Sequence, residues 1–351
     1  MTDIRAELEA RLDRLELPDG GSLMSRDMVR ALVVEAGEVR FVIEAPTPEM
    51  ARNMEPVRAA AERAALSLPG VSRATVVLTA QAAPPALKLG QHPKGGNASI
   101  RPEGIATLLA VASGKGGVGK STVASNLAVA LARQGRRVGL LDADIHGPSQ
   151  PRMMGLTGRP QSPDGTRIIP LEAHGVKVMS IGLMLDPAKA VIWRGPMLMG
   201  ALQQMLAQVD WGDLDVLIVD LPPGTGDVQL TLSQRARPDG AIIVSTPQDV
   251  ALLDARKAMD MFRTLEVPIL GMIENMSFFT CPDCGHEAHV FGHGGVRREA
   301  EGLGLPLLAA LPIDLETRSA GDAGCPVAAG DSAAAQAYGA LALRLIRDGQ
   351  G

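Results

Sequence analysis

The chain has 351 residues, 46% of them apolar and 21% charged, with a formal net charge of -5, an ordinary globular balance in a length that allows two buried cores. The negative balance argues against a protein built around nucleic-acid backbones, while leaving room for a local basic patch, charges at Asp3, Arg5 and Glu7 interrupt the apolar core of a secretory leader, and no apolar run approaches the roughly 20 residues that cross a bilayer. Three cysteines are too few for a disulfide scaffold, so the expectation is a reducing cytoplasm, thiols available to metals, and neither nucleic acid nor membrane as a partner.

Residues 1–80 read as a small αββαβ unit. Ile4, Leu8, Leu12 and Leu15 form one stripe of a first helix, spaced as a buried helical face requires. Strands are expected over Arg30–Glu35 and Val39–Ala45, joined by a turn at Gly37, with a helix over Pro48–Leu68 and a strand over Ser72–Thr79 to follow. Residues 81–103, rich in Ala, Pro, Gly, Lys and Gln without apolar periodicity, read as a linker. From residue 104 to 351 the texture changes. Apolar runs at Leu108–Ala112, Val138–Asp142, Val176–Ile181, Val216–Asp220, Ala241–Ser245 and Ile269–Ile273 alternate with helical segments. Such runs predict an α/β unit with a mainly parallel sheet covered by helices on both faces. Ligands of such sheets collect at the C-terminal ends of the strands.

The segment Gly114-Lys115-Gly116-Gly117-Val118-Gly119-Lys120-Ser121 satisfies the phosphate-loop pattern G-x-x-x-x-G-K-[ST] between a predicted strand and a predicted helix. Glycines let the backbone wrap phosphates with its N–H groups inward, and the helix start adds partial positive charge. Gly114 to Thr122 are therefore the candidate ATP-binding residues. Lys120 is expected on the β- and γ-phosphates and the Ser121 hydroxyl on Mg²⁺. Asp220 closes an apolar strand beside this loop, a position from which a carboxylate holds a Mg²⁺-bound water. Asp142 and Asp144 close another strand. Asp227 is read as a helix cap rather than a catalytic group. Lys115, near the start of the loop, resembles the extra lysine of the deviant-Walker ATPases typified by MinD, ParA and the nitrogenase iron protein. That resemblance implies a lysine reaching across a dimer interface to the partner's nucleotide.

Cys281-Pro282-Asp283-Cys284-Gly285-His286 places two thiols at chelating spacing. Two metal readings stand side by side: a zinc site drawing on His286, His289 or His293, or an iron–sulfur cluster. A [4Fe–4S] cluster normally takes four thiolates. If Cys281 and Cys284 alone are ligands, with Cys325 a small apolar filler, the cluster requires two chains.

Taken in order, the deviant loop, Asp142-Ala143-Asp144-Ile145-His146-Gly147-Pro148-Ser149, Trp193-Arg194-Gly195-Pro196-Met197, Asp220-Leu221-Pro222-Pro223-Gly224-Thr225-Gly226-Asp227 and Cys281-x-x-Cys284 resemble the Mrp/ApbC family of iron–sulfur carrier ATPases. The first 80 residues resemble the iron–sulfur-assembly-associated domain that often precedes it. The resemblance implies a homodimer that holds a labile [4Fe–4S] cluster between paired Cys281 and Cys284, receives it from a donor and passes it to apo-proteins, with slow ATP hydrolysis. It also implies water positioning by Asp144 and adenine recognition by Asn275. A MinD/ParA-like positioning ATPase and a nucleotide-gated zinc scaffold are the alternatives. The N-terminal unit contains no cysteine, and docking of a partner is the role expected of it.

Overall fold

The computed structural model describes residues 4–15, 17, 20–35, 37–45, 48–80, 101–144, 147–163, 165–184 and 195–351. These fall into two compact units. The stretch from 81 to 100, together with Ile145, His146, Trp193 and Arg194, lies outside the described residues.

In the N-terminal unit the elements run α1 (Ile4–Leu12), β1 (Val29–Glu35), β2 (Glu38–Ala45), α2 (Pro48–Asn53), α3 (Glu55–Leu66) and β3 (Arg73–Ala80). The strands form one sheet in the order β1-β2-β3. β1 and β2 are antiparallel across a turn where Gly37 takes φ +80°. β3 returns parallel to β2, and a parallel return needs a crossover, here helical. Leu8, Leu12, Phe41, Ile43 and Met54 fill the core between sheet and helices. Two expectations need correction. The helix predicted over Pro48–Leu68 is broken at Met54, because Pro56 has no N–H for the carbonyl four residues back and its ring crowds that carbonyl. Leu15 lies past the end of α1 and is only partly buried.

The C-terminal unit continues with β4 (Ile105–Ala112), α4 (Lys120–Arg133), β5 (Val138–Asp142), α5 (Gln150–Met153), β6 (Leu171–Ala173), β7 (Val176–Ser180), α6 (Gly195–Gln208) and β8 (Leu214–Asp220). Then come α7 (Asp227–Ala236), β9 (Gly240–Ser245), α8 (Asp249–Thr264), β10 (Ile269–Glu274), β11 (Phe279–Thr280), β12 (Glu287–Ala288), α9 (Gly295–Gly302), β13 (Leu307–Ala310), α10 (Leu315–Asp322) and α11 (Ala333–Arg347). Eight strands make one sheet in the order β13-β10-β9-β4-β8-β5-β7-β6. Every pairing in it is parallel except β6 with β7. The α/β expectation holds, and the near-continuous burial of β4, β5, β8 and β9 is the reason.

The chain leaves β4 for β5 on one side and returns to β9 on the other, so the strand order reverses at β4. A crevice opens at such a reversal, at the C-terminal strand ends, and the phosphate loop follows β4. Two strands of this eight-stranded sheet escaped the sequence patterns. β6 is three residues long on an edge, and β13 is a short run set between Pro306 and Pro312. The C-terminal helix α11 buries Tyr338, Leu341 and Leu345 in the same core as Leu127 and Leu131 of α4, so its apolar face is occupied within the fold. No helix among the described residues is long and apolar enough to cross a membrane.

Candidate functional site

The loop from Ser113 to Gly119 is shaped by three glycines. Gly117 and Gly119 take φ of +80° and +82°, in the left-handed region that favours glycine. Gly114 lies flat on α8, where a Cβ would fall on the backbone of Asp254. Replacing Gly114 by Ala therefore forces loop and helix apart. We expect an apparent melting temperature lower by about 5 °C together with weaker nucleotide binding; an unchanged melting curve would refute the contact. Among the described residues, the N–H groups of Gly116, Gly117 and Gly119 have no backbone acceptor. Donors left over in a glycine loop at a helix start suit phosphate oxygens.

Behind the loop lies a buried charge cluster. Asp142 and Asp220 end adjacent strands at paired register positions, and both are fully buried. Lys120, only 6% exposed, forms an ion pair with Asp220 Oδ1, and its Nζ lies 3.2 Å from Ser121 Oγ. Burial, and then the charge of Asp220, push the Asp142 carboxyl up to about 7. Hydrogen bonds oppose that rise: Gln150 N–H and Ser180 Oγ donate to Asp142 Oδ2 at 3.1 and 3.0 Å, and Asp144 N–H donates to Oδ1 at 3.1 Å. The Gln150 side-chain amide spans to the other carboxylate, with Nε2 2.8 Å from Asp220 Oδ2 and 3.0 Å from Ser121 O. A serine hydroxyl beside buried carboxylates is an oxygen donor set that fits Mg²⁺. Lys115 is half-buried at the loop's start, and its carbonyl accepts from Ser113 Oγ at 3.0 Å.

A cavity of about 620 Å³ opens beside Gly119 and Thr122 and is bounded by Asn275, Met276, Pro312 and Ile313. Asn275 is the first residue past the end of β10, in the turn that follows, and its Nδ2 is engaged, donating to Val118 O at 2.9 Å. A Cβ on Gly119 would strike that amide, so loop and cavity wall are fitted to each other. Glu274, before it, caps the start of α9 by accepting from Val296 N at 2.8 Å. Sequence reasoning missed Gln150, Ser180 and the Pro312-Ile313-Asp314 wall. The last had a signal, a proline directly after a short apolar run, and Asp314 caps α10 through Thr317 N at 2.6 Å. Asp227 is the first residue of α7, and Gly226 holds the cap position instead.

Cys281 and Cys284 sit on the turn of the β11–β12 hairpin, where Cys281 N donates to His286 O and Gly285 N to Cys281 O, both at 2.9 Å. Cys284 is exposed and Cys281 partly so. The Cys281 thiol is held below its usual range by the backbone N–H of Cys284, then that of Asp283 and the Cys284 side chain, an environment that favours the thiolate a metal requires. Among the described residues no three His, Cys, Asp or Glu side chains gather to hold a metal. His289 Nδ1 lies 3.2 Å from Ser277 O, and the rings of His289 and His293 pack edge on, 4.1 Å apart. Cys325 lies elsewhere, after α10, exposed. The zinc reading that drew on these histidines thus lacks a third ligand in the described chain.

Residues 104–346 match the family model described as NUBPL iron-transfer P-loop NTPase, and residues 5–76 match that of an iron-sulfur cluster assembly protein. An iron-sulfur cluster carrier protein of Synechocystis is 44% identical over 92% of this chain and 91% of its own length. A nucleotide-binding protein of Archaeoglobus fulgidus, solved in complex with ADP, is similar at 41% identity and a TM-score of 0.57, covering 63% of this chain and 88% of its own. The cell-division ATPase MinD of Pyrococcus furiosus shares the fold at 22% identity and a TM-score of 0.52, covering 69% of this chain and 99% of its own.

Proposed function

This chain belongs to the NUBPL iron-transfer P-loop NTPase family, and on that premise we propose that it carries a labile [4Fe–4S] cluster between two copies of itself. The cluster passes from a donor to apo-proteins, and slow ATP hydrolysis accompanies the transfer. The observation that carries this reading is the exposed Cys281–Cys284 turn, a thiol pair with no third ligand gathered among the described residues. Two thiolates are half the usual complement of such a cluster, and a second copy supplies the rest by symmetry. Exposure suits cargo that must leave.

In the nucleotide half, Gly114 to Thr122 hold the phosphates, and Lys120 turns from Asp220 to the β- and γ-phosphates when ATP enters. Mg²⁺ would be held by Ser121 and Asp220, directly or through water, and supplies positive charge to the phosphate oxygens. Asp144 positions the attacking water. Lys115 extends to the partner's nucleotide. With its Nδ2 committed to Val118 O, Asn275 offers Oδ1 as an acceptor, the complement of adenine's amino group.

The test is anaerobic reconstitution with iron and sulfide, followed by metal analysis and sizing. We expect about four iron and four sulfide per two chains, eluting as a dimer. A colourless monomer that takes up zinc and no iron would overturn the carrier reading and leave the nucleotide site standing.

A further inference from the structure

Gln150 is fully buried and touches both carboxylates of the charge cluster. Its backbone N–H holds Asp142, while its side-chain nitrogen holds Asp220 Oδ2 and Ser121 O. Both side-chain partners are pure acceptors, so the NH₂ end of the amide must face them. That leaves Oε1 as a buried acceptor with no hydrogen-bond partner among the described residues. Buried polar atoms normally find partners, and the two groups that its amide nitrogen meets, the Asp220 carboxylate paired with Lys120 and the Ser121 carbonyl, are acceptors with no proton to give it.

We propose that Gln150 is a positioning residue for the divalent cation of the nucleotide site, holding Asp220 in place and offering Oε1 to a water in the cation's shell. In the structure Asp220 Oδ1 is tied to Lys120. Once Lys120 moves to phosphate, Gln150 is the side chain that keeps the carboxylate oriented through Oδ2. Metal-bound water is a pure donor toward its surroundings, which is the partner Oε1 lacks. The inference rests on the reading of this loop as an ATP·Mg²⁺ site.

The test is the affinity of the full chain for a non-hydrolysable ATP analogue, by calorimetry, with excess Mg²⁺ and with EDTA. The parent gains affinity with Mg²⁺. Gln150→Met, of similar length and without the amide, loses about tenfold of that gain, while its affinity in EDTA stays within about twofold of the parent's. Gln150→Asn keeps an amide one carbon too short to span Asp220 and Ser121, and shows the same selective loss should the Met variant fold poorly. An undiminished Mg²⁺-dependent gain in either folded variant overturns the role. Equal losses with and without metal also overturn it, as the mark of a merely structural residue. A parent that gains nothing from Mg²⁺ would instead sink the ATP·Mg²⁺ reading itself.

Discussion

Lys120→Ala is expected to lower ATP hydrolysis by about 100-fold or more, since its ammonium is the group we propose to neutralise charge developing on the transferred phosphate. The same change also removes the partner of a fully buried carboxylate. Breaking a buried pair from one side costs about 3–5 kcal/mol, and Asp142 stands on the adjacent strand at the paired position, so the stranded charge has a second carboxyl beside it. Stability and turnover are therefore expected to fall together in the single variant. Lys120→Ala combined with Asp220→Asn separates them: removing the stranded charge restores much of the melting temperature, whereas hydrolysis stays lost. Cluster loading is expected to be unchanged in the single variant at temperatures where it is folded, because the thiols occupy the β11–β12 hairpin. Parent-level hydrolysis in Lys120→Ala would remove the phosphate-loop assignment.

What was legible in the sequence follows from how local each feature is. The phosphate loop is one contiguous stretch whose glycines, lysine and serine each have a local reason, so its pattern sufficed. The thiol pair was legible for the same reason, two cysteines three positions apart in the chain, and the structure places both on one hairpin turn. The sheet was legible from burial: strands covered on both faces are continuous apolar runs. β13 was lost because four residues between prolines are too few for a pattern, and the Pro312-Ile313 wall went with it. Pro56 broke the second helix by removing one donor, which apolar periodicity does not register. Gln150 was illegible for a deeper reason. Its neighbours Asp220 and Ser121 are 70 and 29 residues away in the chain, and only the insertion of β8 between β4 and β5 brings them together.

Cys281→Ala and Cys284→Ala are each expected to abolish cluster binding after anaerobic reconstitution while nucleotide affinity stays at the parent level; Cys325→Ala, outside the hairpin, keeps its iron. Loss in single variants identifies ligands but does not tell a cluster shared by two chains from one held in each. Mixing does. Parent and Cys281→Ala/Cys284→Ala chains are unfolded, combined in equal amounts, refolded so that partners redistribute, and reconstituted. A cluster that needs both thiol pairs forms only where two parent chains meet, about one quarter of random dimers, whereas a cluster held within one chain survives in every parent copy. Iron per parent chain thus falls to about half its unmixed value in the first case and does not change in the second. Varying the ratio sharpens the contrast, since total iron follows the square of the parent fraction for a shared cluster and the fraction itself for a private one. A linear dependence would place the whole ligand set in a single chain and return the hairpin's histidines to consideration; a quadratic one makes the dimer the carrier, with the exposed turn of Cys281 and Cys284 as the seam from which the cluster leaves.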